Sequence, residues 1–395
     1  MAGEAVSDRK TGTGTSASRA GREGRPAGPS GWQGGSGGSS PRTNPARDGR
    51  PGSGVTLQDV ADRAGVSITT ASRVVNDGSR RVGARLAQRV HRAVAELGYT
   101  ANLQARAVAT GRSSMVGVVV HDIADPYFSS IAAGLIDLAS QQQLLVCLSS
   151  TPASEAAERE YVSLMRAQRA RAVILVGSRT DDVSARAALS EEVAAFGRQG
   201  GRAVCVGQPL LGVDTIMPEN AAGADALAGA LAALGHRRFA VLAGPRGLLT
   251  VQDRIEGFRA GLAAWSIGLD PAGIIHGAFT REGGYEAMSS VLAAGGPLPD
   301  CVFAVNDVMA VGALARLRAA GISVPDDVAV AGFDDILTLR DVTPPLTTVR
   351  LPLRQMGEMA ANLLLTEADP GRPRVVPVPG EVIMRDSTLP RPPRD

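Results

Sequence analysis

From residue 113 onward the chain alternates between short, apolar, β-branched runs and longer amphipathic stretches, and this rhythm restricts the available folds more than any other feature. The apolar runs fall at 116–120, 144–148, 172–176, 203–206, 239–243, 301–305 and 328–331. Helical stretches lie between them, for example 127–143, 154–169, 219–234 and 307–320. Strands that are apolar throughout, without alternation, must be covered on both faces, as in parallel sheets flanked by helices. Residues 113–390 carry more of this pattern than one sheet uses. Two α/β lobes with a cleft between them are therefore expected, and a ligand would sit there outside the carboxyl ends of the strands.

Upstream the character changes twice. Residues 1–54 are Gly, Ser, Pro and Arg with almost no large apolar side chain apart from Trp32. Such a segment cannot bury enough surface to offset its ordering entropy, so it is expected to be a disordered tail. At Val55 helical periodicity begins. Leu57, Val60, Ala61 and Ala64 share one face, Thr56 with Asp59 forms a start signal, and Gly65 forms a stop. Ser67 is placed to cap a second helix with Ala71, Val74 and Val75 inward. A third helix over 84–97 buries Val90, Ala93, Val94 and Leu97, ends at Gly98, and has Tyr99 folding back. Three short helices over 55–101 make a small all-α domain.

Charge follows the same division. Residues 1–54 carry eight basic and four acidic side chains and residues 55–114 carry nine and four, while the remainder has twenty-four and thirty-one. Positive charge is thus gathered in the first third, which suits a polyanionic partner as well as a solvated face.

Several classes are disfavoured. Cys147, Cys205 and Cys301 are an odd, widely spaced set inside apolar runs, which is neither a disulfide framework nor a zinc site and fits a reducing cytoplasm. His91, His121, His236 and His276 lack metal-ligand spacing, so no metal or other cofactor is expected. No apolar stretch has the length of a membrane span and no signal-peptide core is visible, so no membrane association is expected. There is no nucleophile elbow, P-loop or paired-carboxylate setting, so the chain is not expected to be an enzyme. A transporter's solute-binding protein would share two lobes but would carry a signal peptide and no helical head.

The second helix carries the chemistry of base reading. With Ala71, Val74 and Val75 turned inward, Ile68, Thr69 and Arg73 project from the other side, toward a major groove. The planar fork of Arg73 matches the O6/N7 pair of guanine. Ser67, Thr70, Ser72 and Asn76 are positioned to bond phosphates, which fixes register without reading sequence. One such helix makes too few base contacts for useful specificity, so a homodimer on a pseudo-palindromic double-stranded operator is expected.

The runs Val55-Thr56-Leu57-Gln58-Asp59-Val60-Ala61, Ala64-Gly65-Val66-Ser67 and Thr70-Ala71-Ser72-Arg73-Val74-Val75-Asn76 closely resemble the opening of the lactose/galactose repressor (LacI/GalR) family. The resemblance spans residues 55 to about 390. It implies a helix-turn-helix domain joined by a hinge helix to a two-lobed, periplasmic-binding-protein-like effector domain, in a transcriptional repressor switched by a small molecule. Thr56 joins the DNA-contacting set by this likeness. Tyr99-Thr100-Ala101-Asn102 and 103–108 are similar to the family hinge over 102–112, where Asn102, Ala105 and Val108 would meet the minor groove. Val108 stands where the family wedges a leucine, Ala101 replaces a proline, and Gly83 replaces the Ser or Thr that caps the third helix. One extra residue falls near Arg80 and Arg81. Residues 381–395 lack the leucine heptad of a tetramer zipper, and 391–395 are read as a tail.

In the effector domain Asp125-Pro126-Tyr127-Phe128 resembles the family's ligand-flanking loop, and Arg254-Ile255-Glu256-Gly257-Phe258 its arginine element. Asn306-Asp307 and Gly332-Phe333-Asp334-Asp335 match hydrogen-bonding positions, and Phe279 matches a ring-stacking aromatic. The resemblance thus implies an effector site of Asp125, Tyr127, Phe128, Arg254, Phe279, Asn306 and Asp334, suited to a sugar or related polyol. Core packing competes with ligand contact for the aromatics, turn closure for Asp334 and Asp335, and a structural ion pair for Arg254. Gly207 stands where some sugar-responsive members have an aspartate, and aromatics are only 3% of residues, which leaves a nucleoside or a phosphorylated sugar open.

Overall fold

The structure, a computed structural model, describes residues 54–77, 82–100, 113–151, 153–366 and 371–391, with Asn76 and Asp77 described by backbone alone. The expected tail over 1–54 lies outside the described residues except for Gly54, as do Arg80, Arg81, Ala101, the hinge residues Asn102, Ala105 and Val108, and residues 392–395.

Helices α1 (Leu57–Ala64), α2 (Ile68–Asp77) and α3 (Ala84–Leu97) form the head. Their core is Val60, Ala64, Val74, Ala87, Val90 and Ala93, with Val75, Leu97 and Tyr99 packed against it. The helix ends follow the sequence signals. Gly65 (φ +59) lets Val66 N–H reach the carbonyl of Ala61 at 3.0 Å, and Gly98 (φ +60) does the same for Tyr99 and Val94. Ser67 Oγ accepts Thr70 N–H at 3.2 Å and opens α2. α3 starts at Gly83 with no side-chain cap, as the missing hydroxyl there requires.

Beyond residue 113 come β1 (Met115–Val120), α4 (Pro126–Gln141), β2 (Leu145–Ser150), α5 (Glu155–Ala167), β3 (Ala172–Val176), α6 (Val183–Arg198), β4 (Arg202–Val206) and β5 (Asp214–Pro218). There follow α7 (Asn220–Ala233), β6 (Phe239–Ala243), α8 (Leu249–Ala263), β7 (Ile274–His276), α9 (Arg281–Ala293), β8 (Cys301–Ala304), α10 (Asp307–Ala319) and β9 (Ala329–Ala331). The last elements are β10 (Thr348–Arg350), α11 (Leu353–Leu365), β11 (Val375–Val378) and β12 (Glu381–Ile383).

Two parallel sheets result. The first has the order β11-β5-β4-β3-β1-β2 and the second β7-β6-β8-β9, while β10 and β12 pair antiparallel. The strand sequence switches from the first sheet to the second after β5, returns for α11 and β11, and leaves again for β12. The chain therefore crosses between lobes at 219, 351–352 and 379–380. The runs at 116–120, 172–176 and 239–243 are fully or almost fully buried strands, as their uniform apolarity requires. Sequence reading missed β5, β7, β10, β11 and β12. These are three to five residues long, some carry proline or charge, and only their pairing partners make them strands.

Helix pairs approach closely through glycine. A Cβ on Gly134 of α4 would stand 2.0 Å from the carbonyl oxygen of Arg354, and one on Gly357 of α11 would stand 2.0 Å from that of Ile131. Reciprocal glycines thus seat α11 on the first lobe, so the returning segment is locked by backbone contact.

Candidate functional site

Two surfaces gather the functional candidates. On α2, Ala71 and Val74 are buried while Ile68, Thr69 and Arg73 are exposed, Ile68 by 46%. An exposed large apolar residue beside an exposed arginine on this ten-residue helix suits a groove offering thymine methyls and guanine edges. Ser67 and Thr70 hydrogen-bond each other through their hydroxyls at 2.9 Å, so in the free protein both serve the helix start. Thr56 is exposed and Ser72 half-buried. The side chain of Asn76, and all of Asn102, Ala105 and Val108, lie outside the described residues.

The second surface is a cavity of about 210 Å³ between the lobes, larger than the ~150 Å³ that admits benzene in an engineered apolar cavity. The first lobe contributes residues that follow strands: His121 and Asp125 after β1, Gly177 and Ser178 after β3, and Gly207 after β4. The second contributes Arg254, Phe279, Thr280 and Asp334, with Asn220 at the crossing. This is where side chains collect in open α/β sheets, since strand ends leave a crevice the helices do not fill.

At its base Arg254, 2% exposed, is held in a fork. Nε donates to Asn220 Oδ1 at 2.9 Å, one terminal nitrogen to the Val305 carbonyl at 2.6 Å, and the other to Asp334 Oδ1 at 2.7 Å. Its plane lies 3.8 Å above the Phe333 ring. Burial pushes the Asp334 carboxyl upward, and the Arg254 guanidinium opposes that. Asp334 and Asp335 both have positive φ, +116 and +53. Asp335 is anchored by Arg350 at 2.7 Å and Arg385 at 2.6 Å, which turns Asp334 into the cleft. Turn closure and site geometry are here one feature.

Asp125 caps α4 and accepts Tyr127 N–H at 2.9 Å. Burial, with Asp334 nearby, pushes its carboxyl up to about 7. Phe128 stands edge-on to Tyr127, with ring centroids 5.0 Å apart. Phe128 belongs to the buried core and Phe279 packs against it, yet both line the cavity, so the two roles proposed for the aromatics coincide.

Six of the seven expected effector residues therefore line one cavity. Asn306 does not: it is buried at the start of α10, where its Oδ1 accepts Met309 N–H at 3.0 Å. Capping alone does not keep a side chain out of the crevice, since Asp125 and Thr280 also cap helices; Asn306 is not among the residues that line it. Sequence reading missed His121, Ser178, Asn220 and Thr280, although each lies directly after a strand or at a helix start. His121 lies against Gly177, whose added Cβ would fall 2.3 Å from the ring, and its Nε2 is 3.3 Å from Glu158. Glu158 pairs with the fully buried Arg179, which holds its carboxyl down at about 2 against the cost of burial. The Gly207 position is also explained. With φ +152 and a would-be Cβ 2.4 Å from the Gly177 carbonyl oxygen, it has no room for a side chain.

The lobes also meet beside the cavity. Leu249 N–H donates to the Arg179 carbonyl and Asp181 N–H to the Gly247 carbonyl, both at 2.9 Å, and Gln208 Nε2 reaches Thr250 Oγ1 and Asp253 Oδ2 at 3.1 Å. Among the described residues no helix is long and apolar enough to cross a membrane, and no group of three or more His, Cys, Asp or Glu could hold a metal ion.

Comparison with known proteins agrees with this geometry. Residues 56–102 match the bacterial regulatory proteins of the lacI family, and residues 228–388 match a periplasmic binding protein-like domain. The chain is 30% identical over 342 residues to the HTH-type transcriptional regulator DegA of Bacillus subtilis (strain 168), covering 85% of this chain and 98% of that one. The chain belongs to the lacI family. It is also 32% identical to the HTH-type transcriptional repressor CytR of Escherichia coli (strain K12), over 79% of this chain and 89% of that one. Among solved structures, the lac repressor dimer bound to operator and the anti-inducer ONPF is matched with a TM-score of 0.73 at 28% identity, over 85% of this chain and 100% of that one. The transcriptional regulator CelR in complex with cellobiose is matched with a TM-score of 0.61 at 30% identity, over 84% and 99%. These lacI-family relatives are transcriptional regulators, not enzymes, and the chain is a DNA-binding regulator of that type.

Proposed function

We propose that this lacI-family regulator is a cytoplasmic repressor that binds a pseudo-palindromic operator as a homodimer and is switched by a small, sugar-like effector in the interlobe cleft. The carrying observation is the outward set Ile68, Thr69 and Arg73 on a helix whose opposite face is buried. Two copies supply two such helices, which doubles the base contacts and imposes symmetry on the site. Ile136 of α4 and Leu145 and Leu148 of the edge strand β2 are large apolar side chains left exposed, which supports a face covered by a second copy. The cavity lies between lobes joined at three crossings, so a ligand touching both favours one relative orientation by its difference in affinity for the two. The repressor sense follows CytR and the operator-bound lac repressor dimer. Selection from a random DNA pool with purified protein, repeated with neutral sugars and nucleosides, tests the whole reading. A symmetric enriched site whose recovery changes with one compound is expected; enrichment without symmetry, or none, overturns it.

A further inference from the structure

Resting on the cleft's role as effector site, the charge and hydrogen-bond inventory of its wall narrows what can enter. We infer that the effector is an uncharged, ring-bearing polyhydroxy compound and that phosphorylated or otherwise anionic forms of it are rejected.

Three carboxyl groups line the cavity, those of Asp122, Asp125 and Asp334, and Arg254 is the one arginine or lysine among the lining residues. Arg254 is not free to meet a phosphate. Its Nε and both terminal nitrogens already donate to Asn220, Val305 and Asp334, at 2.9, 2.6 and 2.7 Å, and its charge is matched by Asp334. A phosphate that displaced Asp334 would leave a buried carboxylate unpaired, a heavy penalty at 4% exposure. His121, the remaining basic side chain of the wall, is directed to Glu158 through Nε2. Glu158 in turn is matched by Arg179, so no surplus positive charge reaches the cavity from that side.

Helix amino ends are the other common anion sites, and those of α4, α7, α8 and α9 border the cavity. The acidic Glu219 stands at the cap position of α7, and at α8 Thr250 N–H donates to Ser178 Oγ at 3.0 Å. The other two carry side-chain caps. Asp125 accepts Tyr127 N–H at the start of α4, and Thr280 Oγ1 accepts Gly283 N–H at 3.0 Å at the start of α9. A phosphate near α4 would meet the capping carboxyl of Asp125 and, three residues before the cap, that of Asp122, both repulsive in a confined, poorly screened site. Hydroxyl groups suffer none of this. They donate to carboxylate oxygens and accept from residual guanidinium hydrogens, while Phe128, Tyr127 and Phe279 cover apolar ring faces.

The test uses the full-length protein without DNA and titration calorimetry on matched pairs: glucose and glucose 6-phosphate, galactose and galactose 1-phosphate, cytidine and cytidine 5′-monophosphate. For any pair that binds, the neutral member is expected to bind at least tenfold more tightly than its phosphate ester. The double variant Asp122→Asn/Asp125→Asn should narrow that ratio by strengthening the ester, which localises the discrimination to the cleft, because phosphate affinity of the DNA-binding head would be the same in both proteins. An ester that binds as tightly as its neutral partner, or a ratio unmoved by the double variant, overturns the inference while leaving the cleft as effector site. Silence from every neutral compound and every ester overturns the sugar-like effector reading itself, and the inference falls with it.

Discussion

Asp334 Oδ1 lies 2.7 Å from a terminal nitrogen of Arg254, and the two residues sit eighty positions apart in the chain with neither more than 5% exposed. A segment after β9 and a helix after β6 are thereby tied at the base of the interlobe cavity. Removing one partner strands the other's charge, so Arg254→Ala should destabilise the fold by roughly 3–5 kcal/mol. Urea unfolding of Arg254→Ala, Asp334→Ala and the double variant forms a thermodynamic cycle. The double variant should cost less than the sum of the singles, and strict additivity would show that the pair is not coupled.

Base reading by α2 makes a separable prediction. Arg73 is exposed and outside the helical core, so Arg73→Ala should leave thermal melting unchanged. Its loss should weaken binding to a selected operator by about 5- to 150-fold at fixed salt, the equivalent of one guanine contact. A mobility-shift titration showing wild-type affinity would remove Arg73 from the reading set.

Asp307 makes stability depend on pH. Fully buried, it accepts the Thr348 hydroxyl at 2.7 Å and Ile336 N–H at 3.0 Å, and burial together with Asp334 pushes its carboxyl up to about 8. A carboxyl raised in the folded state contributes fully below the unfolded value near 4, and that contribution is lost as pH climbs through 8. The slope approaches roughly 1 kcal/mol per pH unit for one proton. Wild-type protein should therefore lose stability between about pH 4 and 8 and level off above that, and Asp307→Asn should flatten that decline. Parallel curves for the two proteins in pH-dependent urea titrations would contradict this.

Gly207→Asp restores the residue that some sugar-responsive family members carry, yet it should impair this protein. The new Cβ would fall 2.4 Å from the Gly177 carbonyl oxygen at a φ of +152. A melting temperature several degrees lower, corresponding to about 1–3 kcal/mol, is expected, without any gain in sugar affinity. Tighter sugar binding at unchanged stability would show that the backbone adapts.

The head was legible in sequence because its determinants are local. Ser67, Gly65 and Gly98 act within one turn of their own positions, and the stripe Ala71, Val74, Val75 fixes which face of α2 remains for DNA. Most of the cleft, including Asp125 and Arg254, was anticipated through the resemblance to the family and not from local pattern, since Arg254 lies within α8. Asn306 could not be placed that way. Its neighbour Asp307 and its own position after β8 resemble a ligand site, yet whether a capping side chain also reaches the cavity depends on where the helix start lies relative to it.

The amino-acid sequence by itself determined the class of the longer segments, the sign of their charge and the outward face of α2, since these follow from periodicity and composition over a few residues. Tertiary structure alone decided that β11 returns to the first sheet, that Gly207 leaves no space for a side chain, and that Arg254 is tied to Asn220, Val305 and Asp334. Each of these is a distance between residues far apart in the chain, set by how helices and sheets pack, and no local pattern encodes it.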